Sequence, residues 1–280
     1  MNSLKLLNQG SFQLKSKGIF SHILDAEILL SKILGKKREK ILVNLDQIIC
    51  NNQIKLYKKL IARRSLKEPI AYILSEKEFW GKSFEVNKNT LIPRPETELM
   101  VEKLLTYFKQ KKVKILDIGT GSGCILVSLL SELKKSSGVG IDISKKALLI
   151  ANKNAKRYLN KSRYKFINKS FKDVYNFKFD LIVSNPPYIK RIDMKNLDQD
   201  IKRFEPHIAL DGGNDGLDVI RKVIYKSREI LKINGTLALE IGSGQFRKVS
   251  EILKSNNFKI ENRIKDFEDN IRCIISSLKR

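Results

Sequence analysis

Apolar positions in the first quarter of the chain recur at helical spacing. In SHILDAEILLSKILG, residues 21 to 35, Ile23, Ala26, Leu30 and Ile33 fall three or four apart, which predicts an amphipathic helix stopped by Gly35. In NNQIKLYKKLIARRSL, residues 51 to 66, Ile54, Tyr57 and Ile61 repeat the pattern behind an asparagine placed as a cap. Residues 1–76 are therefore expected to form a small all-α bundle. From Glu78 the period shortens. EFWGKSFEV sets aromatic residues on either side of Gly81-Lys82, which predicts a β-hairpin. Pro93 and Pro95 in NTLIPRPETE then exclude helix until the chain restarts near Glu96, so residues 77–95 read as hairpin and linker.

Beyond that point, over residues 96–280, strand-like runs alternate with helical ones: VKILDIG, SGCILVSLLSEL, GVGIDIS, KKALLIANKNAKRYL, FDLIVSN and later GTLALEIG. Strictly alternating elements predict parallel βα units, an α/β fold with helices on both faces of an open Rossmann-like sheet. FDLIVS is expected as the fourth strand of that sheet, beside the first. The tail differs, because NNFKIENRIKD and NIRCIISSL leave no room for a helix between two strands. They predict an antiparallel hairpin at the sheet edge.

Composition narrows the class. With 280 residues, 42% of them apolar, the chain can bury a substantial core. No run of eighteen apolar residues occurs and the start lacks a continuous apolar stretch, so a cytoplasmic protein without membrane association is expected. Three scattered cysteines, Cys50, Cys124 and Cys273, and two histidines, His22 and His207, argue against disulfides, a metal site or a histidine-centred triad. The formal charge of +25 attracts phosphates and acidic partners. Its lysines are spread through every segment, as A/T-rich coding produces, and a nucleic-acid partner is not required by the sequence.

The candidate chemistry begins at ILDIGTGSG, residues 115 to 123, a strand that runs through Gly119, Gly121 and Gly123 into a helix. Glycines there make a tight turn and let a ligand approach the backbone. The dinucleotide fingerprint GxGxxG would need glycine at 124 or 126, where Cys124 and Leu126 stand, and no Lys-Ser/Thr pair follows to make a P-loop. GVGIDIS ends the second strand in Asp142, nineteen residues past Gly123, where a carboxylate can accept both ribose hydroxyls of an adenosine-containing ligand. This arrangement resembles motifs one and two of the class I S-adenosylmethionine-dependent methyltransferases.

SNPPYIK, residues 184 to 190, follows FDLIVS and falls at the crevice beyond the strand ends, where open α/β sheets bind ligands. An amide or aromatic amine nitrogen is a poor nucleophile because its lone pair is delocalised. The side-chain oxygen of Asn185 and the backbone carbonyl of Pro186 can each accept one N–H of such a group and stabilise it as positive charge develops. Two prolines hold those acceptors at constant separation, and Tyr188 offers a surface for a planar target.

NPPY resembles the signature of methyltransferases acting on planar nitrogen. Together with EPIAYIL, KEFWGKSFEV, LIPRPETE, RFEPHIALDGGNDGLDVI and LEIGSGQ, it resembles the bacterial release-factor glutamine methyltransferases, the PrmC or HemK family. The resemblance implies a class I methyltransferase fold behind a helical substrate-recognition domain. It implies transfer of a methyl group from S-adenosylmethionine to the side-chain nitrogen of the glutamine in the GGQ motif of peptide-chain release factors; separately from the resemblance, a monomer is expected. Carried over residue by residue, it places the cofactor on Gly119, Thr120, Gly121, Ser122, Gly123, Asp142, Phe171 and Asn185. The glutamine amide falls on Asn185, Pro186, Pro187 and Tyr188, with Asn185 and Pro186 catalytic. RPETE would form part of the cofactor-site wall. Ser170 stands where the family commonly has an acid, so contact with adenine N6 passes to backbone or to Asp173. A late D-x-x-G-x-x-R element appears as Asp266 to Arg272 with Asp269 in place of glycine. Two other substrates stay open on the residues alone: a ribosomal-protein glutamine, and a nucleic-acid adenine.

Overall fold

The computed structural model describes residues 1–175 and 177–279. The first of its two units comprises Met1–Glu76 with Asp198–Phe204. It contains α1 (Ser3–Ser16), α2 (His22–Leu34), α3 (Arg38–Leu42), α4 (Asn51–Ser65) and α5 (Ile70–Leu74). Leu6, Leu14, Leu29, Leu30, Tyr57 and Ile61 form its core. The inward face of α2 is Ala26, Leu29 and Leu30, while Ile23, expected on that face, is 58% exposed. Gly35 ends α2 in the left-handed conformation, as its position predicted. The cap of α4 differs: Cys50 precedes the helix, and the Gln53 side chain accepts from its backbone N–H at 3.4 Å. The buried Arg64 guanidinium donates to Asp25 at 2.6 Å and to Asp200 at 2.7 Å, which fastens residues 198–204 to this unit.

The second unit, Lys77–Leu197 with Glu205–Arg280, opens on a hairpin of β1 (Glu76–Phe79) and β2 (Lys82–Glu85). Its turn is Trp80-Gly81, with φ of 52° and 61°, one residue earlier than the aromatic spacing suggested. Positive φ at both central positions matches the twist of the two strands. The helix α6 (Pro95–Phe108) begins with proline at its first position, where a missing N–H is harmless.

A seven-stranded sheet follows, built from β3 (Lys114–Ile118), β4 (Ser137–Asp142), β5 (Tyr164–Asn168), β6 (Phe179–Ser184), β7 (Leu231–Glu240), β8 (Phe258–Lys265) and β9 (Ile271–Leu278). Its order is β5-β4-β3-β6-β7-β9-β8, parallel from β5 to β7, with β9 antiparallel to both β7 and β8. The mostly parallel sheet with an antiparallel terminal hairpin is the predicted architecture. FDLIVS is its fourth strand in chain order and pairs with the first.

Helices α7 (Cys124–Glu132), α8 (Lys145–Tyr158), α9 (Gln199–Phe204), α10 (Asp218–Ile230) and α11 (Phe246–Ser255) complete the chain. The central strands β3 and β6 are largely apolar because both sheet faces are covered. Ile115, Leu181, Val183 and Ala238 point into one core, and Leu116, Ile182, Leu237 and Leu239 into the other.

Asn154 of α8 joins the hairpin to the glycine loop. Its side chain accepts from Glu85 N at 2.7 Å and donates to the carbonyls of Glu85 at 3.0 Å and Ser122 at 2.9 Å, in a fully buried position. Asn154→Ala leaves those groups without partners, a loss of about 2 kcal/mol. A fall of roughly 4–8 °C in the melting temperature of the larger unit is expected. Calorimetry showing an unchanged transition would refute this role.

Candidate functional site

Register places the chemistry. Ile118, the last residue of β3, pairs with Ile141 of β4 on one side and with Ser184 of β6 on the other. Gly119, Asp142 and Asn185 therefore leave three adjacent strands at one edge, where the strand order reverses. They line a cavity of about 430 Å³ together with Gly121, Ile143, Phe171, Pro186 and Pro187. A cleft of this size suits a small-molecule ligand of nucleoside dimensions.

Gly119 and Gly121 adopt φ of +73° and +54°, and nothing lies within 4 Å of a Cβ built at Gly119. That glycine is demanded by backbone conformation rather than by crowding. Gly123, with φ of +80°, meets the same demand and a second one. A Cβ there would sit 3.2 Å from the Ala151 side chain, so it lets α7 approach α8. Thr120 and Ser122 are buried beneath the loop, outside the cavity lining. Thr120 donates to Asp117 at 2.6 Å.

Asp142 accepts from Gly121 N at 2.9 Å through one oxygen and from Ser144 N at 2.8 Å through the other. Both bonds orient the carboxylate and leave each oxygen a further lone pair for hydroxyl donors. Ile143, 57% exposed, and the half-buried Phe171 supply apolar surface beside it. Ile143 was not singled out from the sequence, although a large aliphatic residue directly after the acid at the end of a buried strand was the available signal. Ser170 lies on the cavity wall and Asp173 does not.

Asn185 donates through its amide nitrogen to Thr97 Oγ1 at 3.3 Å, and Thr97 donates to Glu240 at 2.5 Å. Tyr188 lies outside the cavity lining, with its ring against the core beneath β7 and its hydroxyl donating to Glu240 at 3.3 Å. Tyr188, expected to offer a surface for a planar target, therefore does not face this cavity. Burial, with the Glu240 charge, pushes the Tyr188 phenol upward. Burial also raises the Glu240 carboxyl, against the Thr97 hydroxyl and the Arg272 charge, which lower it. The cavity wall expected from RPETE is formed instead by Lys88 to Leu91. Thr97 lies behind Asn185 through their 3.3 Å hydrogen bond, and Glu98 accepts from Trp80 N at 3.1 Å. The Asp266 turn forms despite the missing glycine, since Asp269 takes φ of 66° while the Asp266 side chain accepts from Asn270 N at 2.9 Å. Arg272 beyond it reaches the Tyr188 hydroxyl at 3.3 Å, joining this element to the site.

Gly119 and Gly121, the Asp142 carboxylate and the apolar Ile143 and Phe171 line one cavity, a lining that fits an adenosine-bearing ligand without a pyrophosphate. With the sheet order, they define an S-adenosylmethionine-dependent methyltransferase of class I. Residues 5–74 match the PrmC N-terminal domain and residues 95–203 the methyltransferase small domain. The chain belongs to the release factor glutamine methyltransferase family. It is 36% identical over 272 residues to the release factor glutamine methyltransferase of Rhodospirillum rubrum, covering 97% of this chain and 84% of that protein. It is 36% identical over 302 residues to the bifunctional methyltransferase of Rickettsia felis, covering 98% of this chain and 57% of that relative, so it spans little more than half of the latter's length. A methyltransferase from Pyrococcus furiosus shares the fold, with a TM-score of 0.54 and 18% identity over 83% of this chain and 100% of that one.

Burial pushes Asp117, beneath the glycine loop, from its ordinary 3.8 up to about 7, with only partial relief from Thr120. The folded state therefore holds this proton more tightly than the unfolded chain. The associated stability is fully present below about pH 4 and is lost as pH rises through about 7. Asp117→Asn is expected to flatten the pH dependence of melting temperature across this window. Parallel profiles for the two proteins would contradict the assignment.

Proposed function

We propose that this chain methylates the side-chain amide nitrogen of the glutamine in the GGQ motif of peptide-chain release factors. The position of Asn185 carries this reading: it stands at the end of β6, beside the loop that holds the cofactor, with its amide nitrogen engaged by Thr97. Its oxygen is then left to accept from the substrate. The Pro186 carbonyl, on the same cavity wall, accepts the second N–H of the substrate amide. With both hydrogens held, the nitrogen can pyramidalise and direct its lone pair toward the cofactor loop.

S-adenosylmethionine supplies an electrophilic methyl group. As the carbon–nitrogen bond forms and the carbon–sulfur bond breaks, positive charge grows on the nitrogen, and the two acceptors stabilise it more than they do the neutral amide. The methylated nitrogen then releases a proton to solvent, so no general base is needed before transfer. Asp142 is assigned to the ribose hydroxyls, and Phe171 with Ile143 to the adenine. The helical unit is assigned to recognition of the release factor. Cytoplasmic location accords with a translation substrate, and a monomeric state is part of the same proposal. Among the described residues no helix is long and apolar enough to cross a membrane.

Labelled cofactor, purified release factor and a variant with GGA in place of GGQ test the substrate. Label is expected on the first alone, and equal labelling of both would exclude the glutamine. In the same assay Asn185→Ala is expected to retain cofactor binding and lose turnover by about 100-fold or more. Asp142→Ala is expected to weaken cofactor binding by roughly tenfold or more. An unchanged calorimetric affinity would remove the ribose role.

A further inference from the structure

Asn185 can serve as an acceptor in only one of its two amide orientations. Rotating the group by half a turn about its terminal bond presents the nitrogen, a donor, to the substrate N–H. Nothing within NPPY distinguishes the two faces, since the prolines stiffen the backbone and leave this torsion free. The neighbours of Asn185 do distinguish them.

Arg272 has donors only, and one of its nitrogens lies 3.3 Å from the Tyr188 hydroxyl oxygen. The single hydrogen of that hydroxyl is thereby directed to Glu240, also at 3.3 Å. The other carboxylate oxygen of Glu240 receives the hydroxyl of Thr97 at 2.5 Å. Thr97 has spent its only hydrogen, so it faces Asn185, at 3.3 Å, as an acceptor. That position can be met only by the Asn185 amide nitrogen. Thr97 and Glu240 are 2% and 1% exposed, so water does not offer an alternative partner.

We infer that Thr97 and Glu240 are positioning residues that lock the Asn185 side chain with its oxygen toward the substrate. The inference rests on the assignment of Asn185 as an acceptor for the substrate amide. Each step transmits direction: Arg272 orients Tyr188, and the Glu240 carboxylate orients Thr97, which orients Asn185. Glu240→Gln would break this order, because the NH2 it introduces can donate to Thr97 and turn the Thr97 hydrogen toward Asn185.

Steady-state kinetics with release factor and the NMR signals of the Asn185 side-chain amide test the relay. Thr97→Val and Glu240→Gln are each expected to lower kcat about tenfold or more, with KM for the cofactor changed less than twofold. Thr97→Ser keeps the hydroxyl and is expected to restore at least a third of wild-type kcat. Because Thr97 acts through Asn185, Thr97→Val in an Asn185→Ala background is expected to change kcat less than twofold, whereas losses that multiply would overturn the inference. In the full-length protein without substrate, one Asn185 amide proton is expected to be shifted and slow to exchange. That signature should survive Thr97→Ser and disappear in Thr97→Val or Glu240→Gln, and its persistence in both would overturn the relay. Absence of transfer to release factor by the wild-type protein would instead remove the proposed function, with the amide signals still deciding the orientation of Asn185.

Discussion

The parallel pairing of β3 with β6 is the constraint on which the site depends. Ile118 lies opposite Ser184, and the Ser184 hydroxyl donates to the Ile118 carbonyl at 2.8 Å, closing the ladder at its last rung. Whatever follows those two residues must leave the sheet together. In this chain those residues are Gly119 and Asn185, one opening the cofactor loop and the other opening NPPY. A slip of one residue in either strand would turn every side chain of that strand to the opposite core. The two apolar clusters that alternate along β3 and β6 therefore hold the register of Gly119 and Asn185 as well as the fold.

Rigidity beyond the strand end comes from close packing around the two prolines. Ile189 N donates to the Leu210 carbonyl at 3.1 Å, and Gly212 N to the Ile189 carbonyl at 2.8 Å. Gln245 donates to the Tyr188 carbonyl at 2.9 Å. A Cβ at Gly212 would lie 2.8 Å from Tyr188 Cα, which explains why DGGNDG has no side chain at its point of closest approach. The loop, the glutamine and the prolines together fix the backbone before any substrate arrives. Such preorganisation is what the proposed transfer to a weak nucleophile requires.

The parts of this arrangement that could be read in advance were those encoded over short range. The glycine loop, Asp142 after an apolar strand, the prolines at 93 and 95 and the alternation of strands and helices each declare themselves within a few residues. The misjudged details had competing local solutions. Asn51 is a good cap residue, yet the helix begins one residue earlier, behind Cys50. Gly81 accommodates a tight turn from either of two positions, and strand pairing selected the earlier one. YKFIN, the edge strand β5, lacks the apolar run of its neighbours because it is only partly covered, and it did not stand out as a strand.

Sequence alone determined the class of chemistry in this protein. A glycine loop without a dinucleotide fingerprint, an acid at the end of the next strand and an Asn-Pro-Pro-Tyr turn are local patterns, and local sterics and hydrogen-bonding capacity limit what each can hold. Only the tertiary structure decided which groups support that chemistry. Thr97, Glu240 and Arg272 lie 88, 55 and 87 residues from Asn185 in the chain, and their hydrogen-bond directions have meaning only once they are buried together. The same burial withdrew Tyr188 from the cavity and gave its hydroxyl to Glu240. An unpaired polar group in that interior would be costly, and pairing Asn185, Thr97, Glu240 and the Tyr188 hydroxyl with one another permits only one arrangement of their donors and acceptors.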